Sequence, residues 1–178
     1  LSGELLSGLW QEDFHLRLNE GDTKNYAESY RDNEVAITDI TDAQFDDVVT
    51  IPDALLERHA SVQHPKLPFR VVAKAYYPNS MLQMRSPASP PSLATTGLGP
   101  RFAVTPAEVT YDPAKKNWPA AFVEVVSAEG SLGVFLLSAL FTDPESFTYA
   151  NRTWRLSLRP ERAYKPYSLT LLKVTHDV

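Results

Sequence analysis

Most of the chain alternates apolar and polar positions with a period of two, the pattern of a strand with one buried face. Phe14, Leu16 and Leu18 alternate with His15, Arg17 and Asn19, and Glu20-Gly21-Asp22 supplies a turn. Val35, Ile37 and, after a slip, Ile40 mark a second strand, and Val48 to Ile51 a short third, closed by Pro52. Leu67 to Tyr77 is the strongest strand of the first half. There Phe69, Val71, Ala73 and Ala75 alternate with Arg70, Val72, Lys74 and Tyr76. Phe102 to Tyr111 predicts a strand interrupted at Pro106. Ala121 to Ser127 and Leu132 to Phe141 flank Ala128-Glu129-Gly130-Ser131 and predict a hairpin. The run Val134 to Phe141 is far short of the ~20 apolar residues of a membrane helix and predicts a buried central strand. Tyr149 to Arg152 predicts a turn, Trp154, Leu156 and Leu158 a strand, Pro160 and Pro166 a further turn, and Ser168 to Thr175 the last strand.

Helical periodicity is confined to two short stretches. Leu5, Leu6, Leu9 and Trp10 share one face, and Asp53 to Arg58 predicts one or two turns with Asp53 favourable at the start. About eight strands, hairpin connections and one or two short helices predict a mainly β fold, an antiparallel β-sandwich or an open barrel. At 178 residues the chain fits a single domain, 1–178. Its one break in pattern is residues 79–100, rich in Pro and Ser and poor in apolar anchors, which predicts a long exposed loop.

Composition narrows the chemistry. With no cysteine, disulfides, thiolate metal sites and cysteine catalysis are excluded. A net charge of −5 argues against a nucleic-acid binder that works by overall positive charge. The charge is unevenly spread: residues 1–60 hold 14 Asp/Glu against 4 Lys/Arg, and residues 61–178 hold 8 against 13. Either the two ends of the chain lie together with complementary charge, or the basic C-terminal stretch faces an anionic partner.

Catalytic signatures are absent: no G-x-S-x-G, H-E-x-x-H, P-loop or G-x-G-x-x-G. His59 and His64 have no third ligand nearby in sequence and read as a solvent-facing turn rather than a metal pair. The acidic loop Thr38 to Asp47 suggests calcium but lacks the EF-hand spacing. Tyr76, Tyr77, Trp118, Tyr164 and Tyr167 are candidates for a ligand platform, against the plainer reading of core filling. Asn151-Arg152-Thr153 matches a glycosylation acceptor, a tripeptide common by chance.

The C-terminal third carries a more specific pattern. Ser146-Phe147-Thr148-Tyr149 leads through a turn to Arg152-Thr153-Trp154-Arg155-Leu156-Ser157-Leu158-Arg159-Pro160. Arg162-Ala163-Tyr164-Lys165-Pro166-Tyr167-Ser168-Leu169-Thr170-Leu171-Leu172-Lys173-Val174-Thr175-His176-Asp177 follows. This resembles the extracytoplasmic region of the ResB-like family, the membrane proteins of system II cytochrome c biogenesis. Gly21 to Glu34, and Leu67-Pro68-Phe69 leading to Tyr76-Tyr77-Pro78-Asn79-Ser80, resemble further segments of that region. Family members continue past His-Asp into a Tyr-Pro-Gly-Thr-like stretch and have membrane helices; the sequence in hand has neither. The chain starts at Leu1 without Met, which fits a piece of a larger protein.

The resemblance implies a non-catalytic ectodomain on the periplasmic, extracytoplasmic face of a bacterial inner membrane. It would support haem delivery and cytochrome c maturation by binding a ResC-type membrane subunit or apocytochrome c. No cofactor would reside in this piece; haem would be handled by the full complex, acting as a haem lyase. His176 matches the family's His-Asp ending and is the one haem candidate, beside the milder reading of a strand-end histidine. Arg155, Arg159, Arg162, Tyr164 and Lys165 are the candidate partner-binding residues. The alternative reading is a β-sandwich carbohydrate- or surface-binding module of a secreted protein.

Overall fold

A computed structural model describes residues 14–15, 23–44 and 46–170, with side chains described over 26–44 and 46–163. The chain is mainly β, with three antiparallel sheets and no closed barrel. Its strands are β1 (Phe14–His15), β2 (Thr23–Asp39), β3 (Asp47–Pro52), β4 (Ser61–Gln63), β5 (Arg70–Tyr77), β6 (Ser80–Met84), β7 (Phe102–Pro106), β8 (Ala120–Ser127), β9 (Gly130–Ser138), β10 (Glu145–Tyr149) and β11 (Arg152–Thr170). Helix α1 (Asp53–Glu57) and a 3-10 turn at Gly99–Arg101 complete the described elements. The first sheet has the order β1-β2-β11-β10 with β3 also paired to β2; the second is β4-β5-β8-β9; the third is the ribbon β6-β7.

Two compact units divide the chain. Leu1–Asn33 with Pro160–Val178 form the smaller, and Glu34–Arg159 the larger. In the smaller unit β1 pairs with the first part of β2, Phe14 opposite Ser29. Ala27, Ser29, Glu161 and Ala163 are buried there, and the Arg162 guanidinium lies 4.3 Å from the centre of the Tyr26 ring.

In the larger unit, two sheets face each other across the main core. Val35, Ile37, Val49, Ile51, Trp154, Leu156 and Leu158 come from the first sheet; Val71, Ala73, Ala121, Val123, Val125, Phe135 and Leu137 come from the second. Phe69 sits between them, edge-on to Trp154 at 5.0 Å and to Phe147 at 5.4 Å. Such aromatic pairs contribute about 0.5–1.5 kcal/mol each beyond burial. The second sheet has a second covered face. Ala75, Ala120, Phe122, Val134 and Leu136 pack beneath Leu82, Phe102 and Val104 of the ribbon and beneath Ala94. Burial on both faces explains why β8 and β9 read as continuous apolar runs rather than alternating ones.

Four expectations change. The strands number eleven among the described residues rather than eight. The alternation of β5 does not keep one face: a bulge between Ala73 and Ala75 shifts the register by one residue. Before it, Val71 and Ala73 face the main core; after it, Tyr76 does, and Ala75 and Tyr77 face the second. No turn separates Pro160 from Pro166, because β11 runs through both over 19 residues. Strand β10 pairs only with Arg152 to Leu156, so beyond Leu156 that flank of β11 has no registered partner among the described residues. A proline whose missing N–H falls on that flank removes no ladder bond. Finally, 79–100 is not one exposed loop. It holds β6, Ala94 and Gly99 are buried, and Thr95 bonds to β9. The predicted helical face at Leu5 to Trp10 and the strand end at 171–175 lie outside the described residues.

Candidate functional site

The stretches that carry the family resemblance fall in different sheets. Residues 146–149 lie on β10 and 152–159 on β11, which pair in the larger unit, 76–77 lie on β5 of the second sheet, and 23–33 lie on β2 in the smaller unit. The hairpin between β10 and β11 closes at Tyr149 opposite Arg152. Its two central residues, Ala150 and Asn151, both have positive φ, 54° and 60°, the mark of a type I′ turn whose twist suits a two-residue hairpin. On β10 the inward residues are Glu145, Phe147 and Tyr149, and Ser146 and Thr148 are exposed. Among the described residues β10 ends the sheet, and no strand of them pairs with its outer flank.

The charge imbalance in the sequence resolves within the larger unit, where acidic β2 lies beside basic β11. Arg152 pairs with Asp39 at 3.6 Å, and Arg159 Nη2 donates to Glu34 Oε2 at 3.3 Å. The second pair is deeply placed, with side-chain exposures of 16% for Arg159 and 3% for Glu34. Asp39 also accepts the Thr41 hydroxyl at 2.5 Å and its amide at 3.0 Å. The Thr41 hydroxyl above all, with the amide and Arg152, holds the Asp39 carboxyl below the ordinary carboxylate range.

Of the three predicted partner-binding residues with described side chains, Arg155, Arg159 and Arg162, only Arg155 is exposed. Arg159 is held in the ion pair with Glu34 and Arg162 is stacked on Tyr26, so neither is presented as a free surface cation. Tyr164 and Lys165 lie on β11 outside the residues with described side chains, and His176 lies outside the described residues altogether.

Of the candidate aromatic platform, Tyr76 and Tyr77 do not share a face, and the side chains of Tyr164 and Tyr167 lie outside those described. Tyr76 packs against the main core and Tyr77 against the second, on opposite faces of the sheet. The Trp118 ring carries the Lys116 ammonium 4.5 Å from its centre. The most exposed aromatic among the described residues is Tyr111, at 79%, ahead of Tyr30. Its loop is closed by reciprocal bonds: Thr110 N–H donates to Asn117 Oδ1 and Asn117 Nδ2 to Thr110 O, both at 2.9 Å. Asn79 ties the loop to β6, donating to Glu108 O at 2.7 Å and accepting Trp118 N–H at 2.8 Å. Sequence reasoning placed Tyr111 at the end of a strand; the Asp112-Pro113 pair right after it was the turn signal that marked it as a loop residue.

Each histidine of the proposed pair serves local structure. His59 Nδ1 lies 3.1 Å from Lys74 O, and His64 Nδ1 accepts the Lys66 amide at 3.1 Å. Asp39 and Asp42 of the acidic loop accept backbone amides of that same loop. Among the described residues no group of three or more His, Asp or Glu converges as a metal site would require, and no helix is long and apolar enough to cross a membrane.

Three buried glutamates, Glu34, Glu145 and Glu161, were not expected from the sequence. Glu34 would alternate outward on β2, and the complementary charge of the C-terminal stretch was its signal. Glu145 Oε1 accepts the Leu98 amide at 2.7 Å, a contact across 47 residues with no local sequence mark. No family model matches the chain, and no curated protein matches it either.

Proposed function

We propose that the chain is a non-catalytic, extracytoplasmic binding domain of a ResB-like membrane protein. It docks a ResC-type subunit or apocytochrome c through the outer edge of β10 and leaves haem chemistry to the full complex. The observation that carries this reading is that the resembling stretches 146–149 and 152–159 pair as β10 and β11 within the larger unit, with β10 at the end of the sheet. An extended partner segment adds to such an edge by main-chain hydrogen bonds, with exposed Arg155 close by on β11.

In the two-residue hairpin, Tyr149 and Arg152 exchange the closing bonds, so the amides of Ser146 and Thr148 point away from β11. Thr148→Pro therefore blocks edge addition while sparing the hairpin. Binding of purified chain to apocytochrome c and to the ResC-type subunit is measured by calorimetry. The expected result is binding by the unaltered chain and at least tenfold weaker binding by Thr148→Pro. Equal binding by the two, or none by either, sinks the reading. Haem added to the chain alone is expected to separate on gel filtration; a Soret band retained at one haem per chain overturns that part.

One observation favours the carbohydrate- or surface-binding alternative: Tyr111 is held open to solvent on a loop already closed by its own hydrogen bonds. A pre-ordered aromatic binds with little further loss of entropy. Glycan-array binding lost in Tyr111→Ala supports that reading over the first.

A further inference from the structure

Strand β9 is the end of its sheet, and an unprotected edge is a template for pairing with another chain. Its nine residues, Gly130–Ser138, carry no charge and include the apolar run Val134 to Leu137. Two other edges carry charge, Glu145 on β10 and Asp47 on β3, and the opposite end of the same sheet, β4, is only three residues long. Lysine, proline and charge are the usual protections of an edge, and β9 has none of them.

The segment 94–99 takes their place. Thr95 N–H donates to Val134 O at 2.9 Å, Thr96 N–H to the same oxygen at 3.3 Å, and Val134 N–H donates to Thr95 Oγ1 at 2.9 Å. Leu98 N–H is held by the buried Glu145 carboxylate at 2.7 Å. The seat is tight. A Cβ on Gly133, where φ is 124°, would strike Thr96; one on Gly97 would strike the Glu145 carboxylate; one on Gly99 would strike Ala94 and Leu136. With Pro87, Pro90, Pro91 and Pro100 around it, the segment cannot extend a regular ladder. It covers the flank of β9 by bonding at Val134 alone and by steric contact on either side.

We propose that residues 94–99 are a guard strap over β9, and that the edge they conceal pairs with β9 of a second copy of this chain when the strap is displaced. The second copy is favoured because β9 is uncharged throughout, so an antiparallel two-fold pairing brings no like charges together.

The test uses the full chain. Leu98→Pro removes the amide that Glu145 holds, at a φ of −78° that proline tolerates. Combined with Thr95→Ala, it removes two of the strap's bonds. Sedimentation velocity across a concentration series and hydrogen exchange are the readouts. In the double variant the amides of 95–97 should lose protection, self-association should tighten at least tenfold over the unaltered chain, and the associated species should protect 131–138. Adding Val134→Pro removes the N–H that faces the strap and should return the variant to the unaltered chain's state. The proposal fails if exposed strap amides come without tighter association, if association survives Val134→Pro, or if the strap amides stay protected. Should the double variant unfold, Thr95→Ala alone must show the same shift in smaller degree; no shift there overturns the proposal.

Discussion

At Ala150 a side chain occupies a backbone conformation that suits glycine or asparagine. Its φ of 54° lies in the left-handed region, where a Cβ costs about 1–2 kcal/mol. Its neighbour Asn151, at 60°, tolerates the same region through its short polar side chain. Ala150→Gly is therefore expected to stabilise the chain by about 1 kcal/mol, read as a higher urea midpoint at unchanged slope. An unchanged or lower midpoint would show that the unfolded state's gain in entropy from glycine outweighs the relief of strain. The turn itself was readable from the polar quartet Tyr149 to Arg152. Its type was not, because nothing about an alanine announces positive φ.

Strands β2 and β11 hold their charge pairs at different depths, and depth decides what each pair does. Arg152 and Asp39 sit near the hairpin with Arg152 half open to water, where an ion pair contributes little. Glu34 is buried and Arg159 largely covered, and removing one partner takes away the main compensation of the other charge. Arg159→Met is expected to cost about 3 kcal/mol, whereas Glu34→Met with Arg159→Met should recover most of that loss. Chemical denaturation of the two variants separates these outcomes, and a double variant as unstable as the single would refute the account. At this scale the sequence was legible where one face is buried. Period-two alternation located β5 and the first part of β11, continuous apolar runs located β8 and β9, and the charge blocks anticipated the pairing of β2 with β11. It failed where tertiary covering overrides local preference. The proline-rich stretch looked like solvent-facing loop because its anchors are backbone amides and glycine clearances rather than apolar side chains. The two prolines of β11 looked like turn markers because whether a strand flank is paired cannot be known from the strand alone. The candidate partner residues suffered likewise: a cation's availability depends on which acid the neighbouring strand places opposite it.

Across the whole molecule, three titrating groups give stability a dependence on pH. Asp39 is held below its ordinary range first by the Thr41 hydroxyl, and Glu129 first by the Tyr149 hydroxyl, which donates to it at 2.7 Å. Both favour the folded state while ionised, so their contributions are present above ordinary carboxylate pKa values and fade as pH falls through the lower folded ones. The same bond pushes the Tyr149 phenol up, so its contribution is present below the ordinary tyrosine value and fades as pH rises through the higher folded one. Stability should therefore hold a plateau between the two limbs. Tyr149→Phe should lose the alkaline limb due to this phenol and soften the acid one; identical profiles for variant and unaltered chain would dismiss the bond as a contributor. The bulge between Ala73 and Ala75 matters on this scale too. It acts as a one-letter frameshift in a two-letter alphabet. Upstream, odd-numbered positions address one core; downstream, even-numbered ones do, so a single strand serves two interiors without changing its composition. Deleting Lys74 would remove the frameshift itself, joining Ala73 to Ala75 in one unbroken alternation with Tyr76 and Tyr77 still on their present faces, whereas inserting a second residue there would exchange them.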